Sequence, residues 1–312
     1  MNFQAIADSL RSSLAGPIET EADMSRLTTY RLGGPASLLV EAASVDDLHC
    51  MGEVLRAEGA ADVPVLPLGR GSNLVVSDLG WPGIVVRLSQ SFSWARPWGE
   101  TGLQAGSSMT LPQLANWSAR RGMAGLEWAI SIPGSVGGGV RMNAGAHGGE
   151  MKDSLRSAVV WRMDRLAVEE VEASDLAMSY RRTSLTATDL VLEARFQLEP
   201  EEPASIRARM ESYRKHRAET QPGALQNAGS VFKNPEGDSA GRLVEVAGLK
   251  GFSVGGVRVS EKHANFFIAS DNATAQDVFD LVSAVKTRVS TSLGVQLETE
   301  IRFVGEFAER KS

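Results

Sequence analysis

The sequence predicts an α+β protein made of three successive regions, each with its own helices and strands. Short runs of β-branched residues predict strands, and amphipathic stretches bounded by capping residues predict helices between them. An acidic segment with two prolines, Glu199–Pro203, separates the second region from the third. With 312 residues, the chain is long enough for two or three domains and a sizeable core.

Strands and a helix alternate in the first region, residues 1–88. The run SLLVE predicts a strand. The next run, SVDDLHCMGEVLRAEG, predicts a helix with a capping box of Ser44 and Asp47, and with Gly59 after its end. Three apolar runs, VPVLPLG, NLVVS and IVVRL, predict short buried strands. We therefore expect a small α/β layer here.

Strands dominate the second region, residues 89–200. Its one predicted helix is TLPQLANWSARRG, with a capping box of Thr110 and Gln113 and with Gly122 as its terminator. The runs SAVVWRM, LAVEEVEA and LVLEARFQL predict strands.

Helices open and fill the third region, residues 201–312. They are predicted from SIRARMESYRKHR, from DSAGRLVEVAGLKG and from TAQDVFDLVSAVKTRVSTSLG, the last with a capping box of Thr274 and Asp277. The final run, VQLETEIRF, alternates in polarity and predicts a strand. Its alternation places one set of residues on the core face and another on the polar face: Val295, Leu297, Ile301 and Phe303 on the first, and Glu298, Glu300 and Arg302 on the second.

Composition excludes several classes of function. A net charge of −6 argues against general nucleic-acid binding, which needs a basic surface. The single cysteine, Cys50, allows no internal disulfide, and the four scattered histidines give no zinc-binding spacing. No apolar run approaches the ~18 residues of a membrane span, and the first residues lack the apolar core of a signal peptide. We expect a cytoplasmic protein with no metal, no membrane or nucleic-acid partner and no obligatory protein partner.

Glycine-rich runs carry the strongest functional signal. They are RLGG, LGRGSN, IPGSVGGGVRMNAGAHGG and GSVFKNP. Consecutive backbone N–H groups in such runs form concavities that bind anions, which suits a pyrophosphate. None of them is the GxGxxG of a dinucleotide fold, and no P-loop is present. The alternative for any single run is an ordinary tight turn.

In these runs the chain resembles a known family, the UDP-N-acetylenolpyruvoylglucosamine reductases. The matching runs occur in the family's order and cover roughly residues 26–305: TTYRLGGPASLLVE, LPLGRGSNLVVSD, GLEWAISIPGSVGGGVRMNAGAHGGE, MSYRRTS, AGSVFKNPEGDSAGRLVEVAGLKG, VSEKHANF and LETEIRFVG. Seven motifs in one order make the resemblance specific.

The resemblance implies a fold and an activity. Residues 1–88 and 89–200 would be the two subdomains of an FAD-binding fold of the vanillyl-alcohol-oxidase type, and residues 201–312 an α/β substrate-binding domain. The alternative for the last strand is a return to the first subdomain. The cofactor would be non-covalent FAD, and NADPH would be the co-substrate. The reaction would reduce the enolpyruvyl ether of UDP-N-acetylglucosamine to UDP-N-acetylmuramate, a peptidoglycan precursor.

The resemblance also assigns residues by position in the motifs. The catalytic residues would be Arg181, Ser230 and Glu300. The substrate-binding residues would be Tyr180, Lys233 and Asn234. The cofactor-binding residues would be Gly69, Gly71, Ser72, Asn73, Pro133, Gly134, Ser135, Gly137, Gly138, Asn143 and Gly145.

Three features depart from the family's pattern. Arg70 stands where members usually carry the middle of three glycines, and the sequence leaves open whether it faces solvent or the phosphates. His147 stands where an aromatic residue is common. The stretch between Arg181 and Ser230 is short, which is typical of the subclass that lacks a substrate lid carrying a tyrosine.

Two other classes of function remain open at this level. One is a different flavoenzyme on the same fold, such as an oxidase with covalently tethered flavin, for which His147 is the one candidate in the flavin loops. The other is a non-catalytic protein that binds a sugar nucleotide, which would be colourless. A visible absorption spectrum and the release of flavin on denaturation separate these classes.

Overall fold

The computed structural model describes residues 1–223 and 226–309, which form two compact units. Unit 1 consists of Met1–Glu21, Leu38–Arg70 and Gly83–Arg217. Unit 2 consists of Ala22–Ser37, Gly71–Pro82 and the residues from Ala218 onward. The predicted domain boundaries, after residues 88 and 200, stay predictions.

The helices and strands are numbered in chain order. The α-helices are α1 (Phe3–Arg11), α2 (Val45–Ala57), α3 (Leu111–Arg120), α4 (Val136–Arg141), α5 (Met151–Ser154), α6 (Pro203–Thr220), α7 (Ala240–Val246) and α8 (Ala275–Leu293). The strands are β1 (Ile18–Asp23), β2 (Pro35–Ala42), β3 (Val65–Pro67), β4 (Leu74–Val76), β5 (Trp81–Leu88), β6 (Ala95–Trp98), β7 (Gly102–Gly106), β8 (Met123–Ala124), β9 (Gly145–Ala146), β10 (Gly149–Glu150), β11 (Leu155–Arg162), β12 (Ala167–Glu172), β13 (Leu190–Gln197), β14 (Glu199–Pro200), β15 (Ser253–Val254), β16 (Val257–Val259), β17 (Phe267–Ala269) and β18 (Arg302–Val304). Short 3-10 turns lie at Met24–Leu27, Gln90–Phe92, Glu127–Ser131 and Ala173–Leu176.

Two sheets organise unit 1. The first has the strand order β1-β2-β5-β3, and its β3 and β5 are parallel, with Val65 opposite Ile84. The second has the order β12-β11-β13-β7-β6, and its strand pairs are antiparallel. Trp161 of β11 is completely buried and packs in one core with Leu190 and residues of α1 and α2. The two sheets of unit 1 therefore share a hydrophobic core.

Unit 2 is built around α8. The antiparallel sheet β15-β16-β17 and helix α7 pack against it, and Val278, Val282 and Val285 of α8 lie in their common core. Strand β18 pairs in parallel with β4, with Arg302 opposite Leu74. The last strand thus pairs with a strand from the first predicted region. Within the described residues, no helix combines the length and apolar character needed to cross a membrane.

Most helix boundaries agree with the sequence predictions. The capping boxes of α3 and α8 are complete, and α8 ends at Gly294 in the left-handed conformation. At α2 the predicted box is wrong in one half. The Asp47 N–H donates to Ser44 Oγ, but the Asp47 carboxylate accepts from Ala43 and Ala15 instead of from Ser44. The N–H groups of Ala15 and Ala43 occupy the Asp47 carboxylate at the start of the helix. The carboxylate therefore does not accept the N–H of Ser44.

The last predicted strand is shorter than its alternation indicates. Only Arg302–Val304 is strand, because β4 offers just three residues for pairing. The predicted facing is confirmed for Leu297 and Ile301, which are buried, and for Glu298 and Arg302, which are exposed. It does not separate Val295 and Phe303 from Glu300, since all three are half-buried. Helices α1, α4 and α5 were not predicted from the sequence.

Asp78 anchors the first turn of α8. Its two carboxylate oxygens accept the backbone N–H groups of Ala275 and Gln276, each at 2.9 Å. Thr274 and Asp277 cap the same turn from within the helix. Two N–H groups of the first turn therefore find their hydrogen-bond acceptors on a residue almost two hundred positions away in the chain.

Replacing Asp78 with Ala should lower the free energy of unfolding by about 1–2 kcal/mol, because two helix N–H groups lose their acceptors. Asp78→Asn should cost less, since one oxygen remains. Urea denaturation followed by circular dichroism measures both effects. The control is Asp62→Ala, since Asp62 is exposed and makes no hydrogen bond among the described residues. A variant at Asp78 as stable as this control would contradict the anchoring role.

Candidate active site

An open cleft lies in unit 1, where the first sheet meets α4 and β13. The residues that line it are Pro67, Leu68, Gly69, Arg70, Val86, Arg87, Leu88, Gln90, Ser107, Ser108, Ser135, Gly137, Gly138, Arg141, Asp189, Leu190 and Val191. This cleft thus brings together four predicted cofactor-binding residues, Gly69, Ser135, Gly137 and Gly138. It also includes Arg70, which departs from the family's pattern.

Glycine is required where the walls of this cleft meet. A Cβ on Gly69 would lie 2.7 Å from Ser135 Oγ, and one on Gly137 would lie 2.9 Å from Ser107 Cβ. The buried Ser135 caps α4 by accepting the N–H of Gly138 at 3.3 Å. A side chain at Gly69 or Gly137 would collide with the neighbouring serine, so glycine lets these loops pack closely against each other.

The walls also offer hydrogen-bond donors. Within the described part of the chain, the backbone N–H groups of Gly69 and Arg70 donate to no other residue. Pro133 and Gly134 precede the cap, and the Gly134 carbonyl is taken by the N–H of Leu111 at 2.9 Å. A glycine-lined cleft with open N–H donors fits the diphosphate of a dinucleotide such as FAD.

Asn143 fixes the loop that follows α4. Its side chain is completely buried, and its amide donates to Glu150 Oε2 at 2.7 Å and to the carbonyl of Ser179 at 3.0 Å. Its side-chain oxygen accepts the N–H of Lys152 at 3.0 Å. The Asn143 side chain thus joins its own loop to the turn at residue 179. A cofactor contact by Asn143 stays a prediction.

Arg181 lies in that turn. Ser179 and Arg182 exchange two backbone hydrogen bonds across it, and Arg181 adopts a φ of 55°, which is strained for a residue other than glycine. Its Nη2 donates to the carbonyl of Gly145 at 2.9 Å. The guanidinium carbon lies 4.9 Å from the ring centroid of Tyr180, which is half exposed. Unit 1 therefore brings Tyr180, Arg181, Asn143 and Gly145 together.

Ser230 and Glu300 are brought together in unit 2. The backbone N–H of Glu300 donates to the carbonyl of Val231 at 2.8 Å, and Phe232 pairs with Thr299. The Asn73 side-chain amide donates to the carbonyl of Glu300 at 3.1 Å, and the Asn73 carbonyl accepts the N–H of Arg302 at 3.0 Å. The backbone of Glu300 is therefore held on both sides.

Glycines shape the loops around this pair. Gly71, beside Ser72 in the same loop as Asn73, has a φ of 62°, and a Cβ there would lie 2.0 Å from the carbonyl oxygen of Leu27. Gly229 has a φ of 77° and faces open space. Among the residues that the structure describes, Ser230 Oγ has no hydrogen-bond partner. Its hydroxyl is thus available to a ligand.

Lys233 and Asn234 have partners within unit 2. Lys233 Nζ lies 2.5 Å from Oε1 of the exposed Glu298. Asn234 Oδ1 accepts the N–H of Ala240 at 3.0 Å, at the start of α7. Their predicted substrate contacts stay predictions.

His147 connects the loop after α4 to helix α6. Its Nε2 lies 2.8 Å from Ser131 Oγ, and its ring stacks on Tyr213 with centroids 4.2 Å apart. His216 and Arg217 lie on the same stretch of α6, and the Arg217 guanidinium donates to the carbonyl of Ser131. Burial, followed by the charges of His216 and Arg217, lowers the pKa of His147. The imidazole of His147 therefore contacts Ser131 through its edge and Tyr213 through its face.

Motifs alone could not reveal part of the cleft. Arg87, Ser107 and Asp189 lie outside the glycine runs and come from distant parts of the chain, and Arg141 belongs to the run at Ile132–Gly149 but was not predicted as a site residue. A metal site finds no support, since no three His, Cys, Asp or Glu side chains among the described residues cluster to hold an ion.

Comparison with known proteins defines the class and then the family. A family model described as an FAD binding domain matches residues 36–164, and one described as the C-terminal domain of UDP-N-acetylenolpyruvoylglucosamine reductase matches residues 221–304. The fold and the cleft thus define an FAD-containing oxidoreductase. The chain belongs to the UDP-N-acetylenolpyruvoylglucosamine reductase family. The predictions of fold class, family and FAD cofactor are confirmed.

The relatives are similar over nearly the whole chain. UDP-N-acetylenolpyruvoylglucosamine reductase 2 of Symbiobacterium thermophilum is 45% identical over 307 residues, which are 96% of this chain and 97% of the relative. The reductase of a Bradyrhizobium species is 40% identical over 98% of this chain and 99% of its own. The crystal structure of the reductase of Thermus caldophilus is 34% identical, with a TM-score of 0.78, and is matched over 94% of this chain and 100% of its own.

His147→Phe should make stability less dependent on pH between about 8 and 5.5. The folded pKa of His147 is lowered from 6.5, so the stabilisation is full above 6.5 and is lost as the pH falls through the folded value. Phe keeps the stacked ring but cannot titrate. The melting temperature of both proteins across this range measures the difference, in which the similarly lowered pKa of His263 cancels. Two parallel curves would show that His147 contributes nothing to this dependence.

Proposed function

We propose that this chain catalyses the NADPH-dependent reduction of UDP-N-acetylglucosamine enolpyruvate to UDP-N-acetylmuramate, a step of peptidoglycan precursor synthesis. The observation that carries the proposal is the glycine-lined cleft of unit 1, in a chain that belongs to the reductase family over nearly its full length. The chemistry supplied by bound FAD is hydride transfer from NADPH to the substrate. Gly69, Gly71, Ser72, Asn73, Pro133, Gly134, Ser135, Gly137, Gly138, Asn143 and Gly145 would hold FAD.

Non-covalent binding is favoured over the tethered flavin of an oxidase. His147 is the one candidate for tethering in the flavin loops, and its Nε2 is engaged by Ser131 Oγ at 2.8 Å while its ring stacks on Tyr213. An attachment through Nε2 would have to break the contact with Ser131.

Arg181 stabilises the charge that develops on the substrate. Hydride adds to the terminal methylene carbon of the enol ether, and negative charge then spreads from the neighbouring carbon into its carboxylate. A guanidinium is a permanent cation whose forked donors match a carboxylate. Its contact with the carbonyl of Gly145 and the turn from Ser179 to Arg182 limit its freedom, so little reorganisation is needed.

Ser230 donates the proton that completes the addition. The proton goes to the carbon that did not receive hydride. The Oγ of Ser230 has no partner among the described residues, and the neighbouring Gly229 leaves open space beside it. A positioned acid of this kind contributes about 10²–10⁴-fold to a rate.

Glu300 donates a hydrogen bond to the developing enediolate from its protonated form. The low polarity of a substrate-filled site raises the pKa of a carboxyl. Its backbone is held by Val231 and Asn73, which limits motion of the side chain. Tyr180, Lys233 and Asn234 would bind the rest of the UDP-sugar. The proposal includes a cytoplasmic protein without nucleic-acid, membrane or obligatory protein partners.

Ser230→Ala tests the proposal in its two half-reactions. The purified variant should be yellow with released FAD near one per chain, and NADPH should reduce its flavin at nearly the normal rate. Reoxidation by the enolpyruvyl substrate should slow by about 10²–10⁴-fold, because the proton donor is lost. Stopped-flow absorbance measures both rates. The control is Ser283→Ala on the exposed face of α8. Unchanged reoxidation would remove Ser230 from the mechanism, and a protein that takes up no FAD would overturn the proposed function.

Glu300→Gln should bind substrate well yet lose some turnover, because the amide keeps a donor of similar shape. Glu300→Ala should lose far more, since the developing charge then has no partner. Glu298→Gln is the matched control, because Glu298 is exposed and paired with Lys233. Flavin reoxidation in the three variants gives the order of the effects. If Glu298→Gln were as damaging as Glu300→Ala, the assignment of the acid along this segment would be wrong.

A further inference from the structure

Arg70 occupies an unusual place in the glycine loop. It stands between Gly69 and Gly71, where the resemblance predicts a glycine. Gly71 takes the left-handed conformation of the loop, with a φ of 62°, whereas Arg70 does not have a positive φ. A side chain at position 70 is therefore accommodated without backbone strain. The loop conformation therefore accepts an arginine at position 70. The role of Arg70 depends on which charged or polar groups surround its guanidinium.

The cleft has three arginines in its wall, Arg70, Arg87 and Arg141. Arg87 faces Glu41 at 3.8 Å. Arg141 donates to the carbonyls of Thr186 and Asp189, which fixes its guanidinium against the protein. Arg70 is exposed, and within residues 1–223 and 226–309 it has neither an ion pair nor a hydrogen bond. Of these three arginines, Arg70 is therefore the one whose guanidinium has no partner among the described residues and can contact a ligand.

The described residues that line the cleft include no acid that could neutralise Arg70. Asp189 is the one acidic residue among them, and it is 1% exposed. Its carboxylate is engaged by Arg162 at 2.6 Å and by the N–H of Thr186 at 2.7 Å. The lining thus carries a net positive charge, and among the described residues the backbone N–H groups of Gly69 and Arg70 have no acceptor. Such a combination favours a ligand that carries more than one negative charge.

We propose that Arg70 binds the diphosphate of FAD through its side chain, and so adds a charged contact where a glycine loop alone provides only backbone donors. The inference rests on the proposed function for the identity of the cofactor. An exposed arginine–phosphate contact should strengthen FAD binding at low salt and lose its effect as salt rises. It should leave the affinity for riboflavin unchanged, because riboflavin has no phosphate.

The experiment measures flavin affinity instead of turnover. Full-length protein is stripped of FAD, and the dissociation constants of FAD and riboflavin are measured by flavin fluorescence at 50 mM and 500 mM NaCl. Arg70→Gln and Arg70→Gly should weaken FAD binding by about tenfold at 50 mM NaCl and by much less at 500 mM, with unchanged affinity for riboflavin. Arg70→Lys should recover part of the loss, since it keeps the charge without the fork. Arg156→Gln, another exposed arginine of unit 1 with no partner among the described residues, is the control.

Two outcomes would overturn the inference. Equal FAD affinity of Arg70→Gln and the parent protein at 50 mM NaCl would show that the charge makes no contact. An equal loss of FAD and riboflavin affinity would show that Arg70 supports the flavin end or the loop, and not the diphosphate. The proposed function is tested separately: a parent protein that binds FAD but does not reduce the enolpyruvyl substrate would refute that function and leave the role of Arg70 intact.

Discussion

The hydrogen bond from the side chain of Asn73 to the carbonyl of Glu300 is a contact on which the site in unit 2 relies. Strands β18 and β4 pair over only three residues each, so backbone pairing alone fixes their register weakly. The Asn73 amide adds a contact specific to one position, and the carbonyl of Val231 holds the N–H of Glu300 from the other side. A slip by one residue would put Thr299 or Ile301 in its place and turn the carboxyl to the opposite face. These two hydrogen bonds also hold Glu300 beside the segment that carries Ser230.

In unit 1, an asparagine side chain likewise holds the backbone near Arg181. The buried Asn143 joins its loop to the carbonyl of Ser179, and the turn from Ser179 to Arg182 holds Arg181 in a strained conformation. Two asparagines, Asn73 and Asn143, thus act mainly on the backbone around candidate catalytic residues. Asparagine suits this task because its amide both donates and accepts. Such contacts explain why a residue in a cofactor loop can affect catalysis without touching the cofactor.

The charge on the cleft wall bears on the alternatives to the proposed function. A positive, glycine-lined cleft fits any dinucleotide, so by itself it would also suit a binding protein without catalysis. A binding protein without catalysis would not need the hydroxyl of Ser230, which has no partner among the described residues and lies on the segment that holds the backbone of Glu300. The engagement of His147 by Ser131 and Tyr213 weighs against a covalently tethered flavin. The reductase is therefore the function that accounts for most of the arrangement.

The sequence by itself determined helices α2, α3, α6, α7 and α8, the capping boxes of α3 and α8 and the burial of Leu297 and Ile301, because these depend on neighbours within a few residues. Seven ordered motifs determined the family and the candidate site residues. Only the tertiary structure decided that the Asp47 carboxylate turns to Ala43 and Ala15, that β18 pairs with β4, and that Arg87, Ser107 and Asp189 complete the cleft. Those features arise from elements far apart in the chain, and neither periodicity nor local propensity carries information about which distant backbone groups will meet.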